Sequence, residues 1–203
     1  MLRGVRASVF VGMSVDGFIA RRDDTFDFLH AGGGGGGPHG FEEFMASIDA
    51  LVMGRRTYEV VRPFPTWPYG DKPVFVLSSK PLKPAPKGAV VERMSGTPAR
   101  IVAKLASRGF RHLYVDGAYT VQRFLDAGLI TRVILNRVPV LIGTGISLFG
   151  PLRGDVGLEH VTTRDYKGGL VQSEYKVLRR RRKKARQRKV KAGSTRVARR
   201  AGT

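Results

Sequence analysis

Ala50-Leu51-Val52-Met53-Gly54-Arg55-Arg56-Thr57-Tyr58-Glu59 is the stretch that decides the fold. Four apolar residues without alternation fit a short strand buried on both faces, as in a parallel sheet. Gly54 turns the chain, and Arg-Arg-Thr opens a helix. Comparable apolar strands recur on either side. Val5 to Met13 is a first strand. Pro73 to Leu77 is another, ending in Ser78-Ser79-Lys80, and Ala89 to Val91 is a short third. Arg111 to Val115 is a strand, Asp116-Gly117-Ala118 a turn, and Tyr119 to Ala127 a helix closed by Gly128. Phe41, Phe44, Met45 and Ile48 stand at helical spacing, and Thr97-Pro98 caps a helix reaching about Ser107. From Ile130 onward only strands remain: Arg132–Leu141, Leu158–Thr163 and Leu170–Leu178. This order predicts an α/β fold, with a mixed, mostly parallel sheet, an antiparallel C-terminal end and helices on both faces.

The chain has 203 residues, 42% of them hydrophobic, enough for a core without disulfide or metal. It has no cysteine, which excludes thiolate metal sites, disulfides and cysteine nucleophiles. Its four histidines, His30, His39, His112 and His160, lack ligand spacing, so no metal is expected. No apolar run reaches the roughly 18 residues of a membrane span, and residues 1–20 lack a signal-peptide layout. A cytoplasmic protein is the expectation. The net charge of +20 is unevenly placed: residues 179–203 carry 13 of the 36 Lys and Arg, and no acid follows Glu174. Residues 1–178 keep 23 basic against 16 acidic residues, a net of +7. Two units follow: a domain over 1–178 and a basic tail over 179–203, too poor in apolar residues to build a core and so expected to be disordered. Such a tail can hold nucleic acid or another polyanion through counterion release, or it can be an extension without a role.

Gly32 to Gly37 match any glycine spacing and read as a flexible loop rather than a dinucleotide fingerprint, because no strand leads in and no helix leads out. Three junctions are better suited to a phosphorylated ligand. Gly54-Arg55-Arg56-Thr57 combines a helix entrance with guanidinium forks. Ser78-Ser79-Lys80 offers two hydroxyls and an ammonium. Asp116-Gly117-Ala118-Tyr119-Thr120 places small residues where backbone can approach a pyrophosphate. Each of these is also an ordinary solvated turn at the end of a strand. Trp67 and Tyr69 read equally as a stacking wall of a pocket or as a loop anchor.

Gly12-Met13-Ser14-Val15-Asp16-Gly17-Phe18-Ile19-Ala20, Met53 to Glu59, Val76 to Ser79, Val115 to Ala118 and Val138 to Gly145 together resemble, in order, dihydrofolate reductase-like proteins. The likeness spans about residues 5–178 and is nearest to the reductase domain of the bacterial riboflavin-biosynthesis deaminase-reductase and its free-standing relatives. The resemblance implies a dihydrofolate reductase-like fold, NADPH as cofactor and a small heterocyclic substrate, with reduction of 5-amino-6-(5-phosphoribosylamino)uracil as the family activity. It implies that Gly12, Ile19 and Ala20 meet the nicotinamide. Gly54, Arg55, Arg56 and Thr57 would grip the pyrophosphate and 2′-phosphate, with Ser78 and Ser79 completing the latter site. Gly117, Ala118, Tyr119 and Thr120 would underlie the pyrophosphate.

The chain departs from that family in places. Ala118 stands where a second glycine is usual, and no acid near Phe41 matches a pterin-binding carboxylate, Glu42 and Glu43 reading as helix surface. Folate reduction is therefore disfavoured, and the absence of cysteine excludes the zinc deaminase. Asp16 and Asp116 are the candidate catalytic carboxylates, each able to orient a substrate ring and each equally able to brace a turn. The rival function is a polyanion- or nucleic-acid-binding protein with an idle reductase-like body. A homodimer is compatible with either.

Overall fold

The computed structural model describes residues 4–30 and 39–178. The glycine run and the basic tail, with the expectations attached to them, lie outside the described residues. Strand β1 (Arg6–Ser14) leads through β2 (Phe18–Ala20) and a 3-10 turn (Asp27–His30) to helix α1 (Phe41–Ser47). Then come β3 (Ala50–Gly54), α2 (Arg55–Val61), β4 (Val74–Leu77), β5 (Val91–Met94), α3 (Pro98–Ser107), β6 (His112–Asp116) and α4 (Ala118–Asp126). The last strands are β7 (Arg132–Val138), β8 (Ile146–Ser147), β9 (Leu158–Asp165) and β10 (Val171–Val177). Eight of them form one sheet in the order β5-β4-β3-β6-β1-β7-β10-β9, and β2 pairs with β8. Pairings from β5 to β7 are parallel, whereas β10 is antiparallel to β7 and β9, as the run of late strands predicts.

Alternation within β3 explains why both faces are covered. Ala50 and Val52 point to a core with Ile101, Leu105, Val121 and Phe124 of α3 and α4. Leu51 and Met53 point to the opposite core with Phe44 of α1 and Tyr58 and Val61 of α2. All four strand residues are 0% exposed, so β3 is central and its apolar run is continuous. Each large side chain so buried contributes roughly 1.5–3 kcal/mol. Thr97 caps α3 by accepting from the Arg100 amide at 3.4 Å, with proline at the first helical position.

Three expectations shift. The strand expected at Ala89–Val91 runs Val91–Met94 instead, because the ladder to β4 pairs Val74 with Val91 and Leu77 with Met94. Glu92 and Arg93 interrupt the apolar pattern but sit in an edge strand, where polar side chains reach solvent. The strand expected to continue to Leu141 ends at Val138, since Pro139 has no amide and Val140 N donates to Val138 O at 2.8 Å. The small β2–β8 sheet is unforeseen; it is three residues against two, too short to pattern.

Candidate active site

The parallel strands β1, β3, β4 and β6 bring their C-terminal ends to one edge, where open α/β sheets place ligands. Register puts Gly54 beside Leu77 and Met53 beside Asp116. Gly117 has φ +83° and ψ 134°, a backbone that L side chains avoid, and a Cβ there would run into Thr57 Oγ1. Reciprocally, a Cβ on Gly54 would lie 3.2 Å from Thr120 Oγ1. The starts of α2 and α4 therefore interlock across the sheet edge. Helix α4 begins on Gly117 with no side-chain cap on its first amides, which leaves them for a ligand or solvent.

Both arginines that open α2 are engaged. Arg55 Nη1 donates to Glu59 Oε1 at 2.7 Å within α2. Arg56 Nε donates to both Asp24 oxygens at 2.6 and 2.8 Å and its Nη2 to Arg22 O at 3.2 Å, tying the β2 loop to α2. Both ion pairs are partly exposed, worth about 0.2–1 kcal/mol each, so a phosphate can exchange for either carboxylate. Ser78 Oγ donates to Lys80 O at 2.7 Å and accepts from Lys80 N at 3.0 Å, which turns the chain after β4. Arg93 Nη1 reaches Ser79 O at 3.3 Å, a cation at this edge that sequence reading passed over. Ile19 and Ala20 lie on β2, and Gly145 sits so close beneath that a Cβ would strike Ala20 O.

Asp116 ends β6 half-buried. Its Oδ2 accepts from Tyr69 Oη at 3.0 Å and its Oδ1 from Gly117 N at 2.7 Å. Burial pushes its carboxyl above the ordinary value, opposed by the Tyr69 hydroxyl, the Gly117 amide and Tyr114. Asp16 is exposed and accepts from Ile142 N and from Gly143 N, the latter at 2.8 Å, pinning the loop after β7. Its carboxyl lies below the ordinary value, first through a hydrogen bond from Ser14 and then through those two amides. Neither aspartate lines the pocket described next. Trp67 and Tyr69 meet edge-on at 5.1 Å and pack in the α2-side core, which makes them loop anchors.

A pocket of about 280 Å3 opens beside β1 and β7. Its apolar walls are Phe10, Phe26, Leu29, Phe41, Val138 and Leu170; Gly12 and Asn136, paired in the ladder, form its floor, and His30 and His39 stand at its rim. Leu29 packs over Gly12, where a Cβ would lie 3.1 Å from it. Asn136 is 5% exposed and anchored by Gln172, whose Nε2 donates to Asn136 Oδ1 and to His39 O, both at 2.7 Å. Of the candidate catalytic and cofactor-binding residues, only Gly12 lines this pocket. Those from residue 54 to 57, 78 to 79 and 116 to 120 gather at the strand ends, while Ile19 and Ala20 lie on β2 and Asp16 on the turn before it. Asn136 carried a local signal, a polar residue inside the apolar strand Val133 to Val138, whereas Gln172 reaches it only through the β7–β10 register. Among the described residues no cluster of His, Asp or Glu could hold a metal, and no helix is long and apolar enough to cross a membrane.

The uncapped α4 start and the pocket lie one strand apart, since β1 pairs with β6. The fold is shared widely. A Shewanella sp. PV-4 protein bearing a riboflavin-biosynthesis name is 36% identical, with a TM-score of 0.79, covering 86% of this chain and all of that one. The Thermotoga maritima diaminohydroxyphosphoribosylaminopyrimidine deaminase/5-amino-6-(5-phosphoribosylamino)uracil reductase is 14% identical with a TM-score of 0.67, covering 87% of this chain and 57% of that one. Dihydrofolate reductase from Enterococcus faecalis, complexed with NADP(H), is 18% identical with a TM-score of 0.57 over 88% and 98% of the two chains. The dihydrofolate reductase-like architecture expected from the sequence is thus the one observed. The family model for the RibD C-terminal domain matches residues 7–172, and the chain belongs to that family.

Proposed function

We propose that the protein is an NADPH-dependent reductase of a small heterocycle, of the pyrimidine kind reduced by the T. maritima relative or a related ring. The observation that carries this reading is the interlocked edge: Gly117, with no room for a side chain, presents the uncapped α4 start one strand from an apolar pocket. NADPH, when bound, supplies the hydride. The chain's own part is to hold the phosphates at Gly117–Thr120 and Arg55–Thr57, to keep water from the ring, and to orient the substrate over Gly12 and Asn136. Arg55, Arg56, Ser78 and Ser79 favour a 2′-phosphate and thus NADPH over NADH.

Calorimetric titration of the full chain with both cofactors tests this. NADPH is expected to bind well above NADH. Arg55→Ala combined with Ser78→Ala should narrow the gap tenfold or more, since a charge-assisted hydrogen bond is worth roughly 1.5–3 kcal/mol. Equal affinity for the two, or no binding of either, overturns the assignment.

A further inference from the structure

The amide pair at the pocket floor has only one orientation open to it. Gln172 Nε2 lies 2.7 Å from the backbone carbonyl of His39, which can only accept, so that end of Gln172 must be the nitrogen. Its other hydrogen then points at Asn136, 2.7 Å away, so that atom must be the asparagine oxygen. Asn136 Nδ2 in turn lies 3.3 Å from Val11 O, a second fixed acceptor. Two backbone carbonyls at opposite ends thus lock the chain His39–Gln172–Asn136–Val11 in one direction. The Tyr166 hydroxyl, 3.5 Å from Gln172 Oε1, agrees with it. The Asn136 oxygen is taken, and one Nδ2 hydrogen has no acceptor among these partners.

That hydrogen sits on a side chain 5% exposed, in a pocket whose other lining is apolar except for His30 and His39 at the rim. No Lys, Arg, Asp or Glu is among the described lining residues. A charged ligand group placed against Asn136, beneath the two rim imidazoles, would lose its hydration without an ionic partner, at a cost of several kcal/mol. The absence of a carboxylate also removes the acceptor pair that a protonated amino-pyrimidine requires. At about 280 Å3 the space lies at the small end of ligand pockets, roughly 300–1,000 Å3, and suits one ring or two fused ones.

The geometry points to Asn136 as the specificity-determining residue of this pocket, donating from Nδ2 to a carbonyl oxygen or bare ring nitrogen of a neutral, planar ring, with Gln172 as its positioning residue. This rests on the reductase reading for the purpose of the site, but not for the binding itself. Any phosphate or ribosyl group of the substrate must leave through the pocket mouth, and anionic or cationic rings are refused.

Matched probes test it without turnover. Uracil, orotate, which is uracil with a carboxylate, and 2,4-diaminopyrimidine, at a pH low enough to keep the last of these protonated, are titrated into the full chain while the side-chain amide signals are followed by nitrogen–proton NMR. The Asn136 signal is identified as the one missing in Asn136→Asp. Uracil is expected to move that signal saturably, with or without NADPH, and to bind at least tenfold more tightly than either charged probe. Gln172→Met, which keeps the length of the side chain but can neither donate nor accept, should free the Asn136 amide to rotate. Uracil affinity should then fall several-fold while NADPH affinity stays near that of the parent, and the unfolding midpoint should drop modestly because His39 O and Asn136 Oδ1 lose their donor. Tighter binding of orotate or 2,4-diaminopyrimidine overturns the proposal, as does uracil binding that leaves the Asn136 signal unmoved or no uracil binding at all. If NADPH binds and uracil does not, this inference fails and the reductase reading stands. If uracil binds as described and NADPH does not, the reverse holds.

Discussion

Gly117→Ala tests the interlocked edge directly. At φ +83° and ψ 134° the backbone is a conformation essentially confined to glycine, so alanine carries about 1–3 kcal/mol of strain before any contact is counted. The new Cβ also collides with Thr57 Oγ1, on a threonine held by α2, and overpacking of that kind costs about 1–3 kcal/mol more. The expected loss is about 2–5 kcal/mol, a large share of a domain's usual 5–15 kcal/mol. Thr57→Ala removes the hydroxyl but not the strain, so the double variant should recover about 1–2 kcal/mol of the loss, a coupling that additive sites would not show. Recovery should be incomplete for a second reason: the remaining Thr57 Cβ would still lie 3.2 Å from the added atom. Gly128→Ala is the control, because Gly128 has φ +67° and nothing within 4 Å of an added Cβ. Urea unfolding of the parent, Gly117→Ala, Thr57→Ala, their double variant and Gly128→Ala gives the free energies, with a constant m value showing that the compactness of the states is unchanged. If Gly117→Ala costs no more than Gly128→Ala, or if Thr57→Ala restores nothing, the close approach of the two helix starts is not as described.

Asp116 should lower stability as pH rises. Its folded carboxyl lies above 3.8, so the native state holds the proton longer than the unfolded chain, and the burial penalty sets in as pH climbs through and beyond 3.8. Unfolding of Asp116→Asn against the parent over acid to neutral pH should move in the variant's favour; the opposite trend would mean the carboxylate is net stabilised, and a tenfold fall in turnover at unchanged NADPH affinity would place it on the substrate instead. Asp16 works with the other sign, its lowered carboxyl adding stability above 3.8 that is lost as pH falls through its folded value. Asp16→Ala should speed hydrogen exchange at the Ile142 and Gly143 amides while leaving the β3 amides protected, and unchanged exchange at both would remove its bracing role. The basic residues of 179–203 should give the full chain an affinity for DNA or RNA that falls steeply with salt and disappears when they are deleted; salt-independent binding, or binding that survives deletion, would move the site into the body.

Sequence reading reached the sheet through residues whose neighbours are local. The apolar run of β3 followed by Gly54, and the Asp116-Gly117 turn into α4, are complete within ten residues, and both are strand, turn and helix in the structure as the sequence predicts. The strand from Val91 was misplaced because an edge position relaxes the apolar requirement and the partner strand, not composition, sets the register. Asp16 and Asp116 could be located but their partners could not: Ile142 lies 126 residues from Asp16, and Tyr69 lies 47 from Asp116. The pocket was the least legible part. Gln172 and Asn136 are 36 residues apart and meet because β10 runs antiparallel to β7, and Phe10, Leu29 and Phe41 converge there only once β1, the 3-10 turn and α1 are stacked.

Helices α2 and α4 lie on opposite faces of the sheet, yet each start fills the space that the other's glycine leaves open. The gap between them is consequently gauged by two hydroxyl-bearing side chains rather than by a loop. Enlarging Gly117 drives an atom into Thr57, enlarging Gly54 presses on Thr120, and trimming either threonine slackens the contact. For anyone reshaping this sheet edge, positions 54, 57, 117 and 120 behave as a single four-toothed part. Libraries that randomise them one at a time will return mostly dead proteins, whereas the productive variants are those in which a gain of bulk on one helix arrives together with a loss on its counterpart.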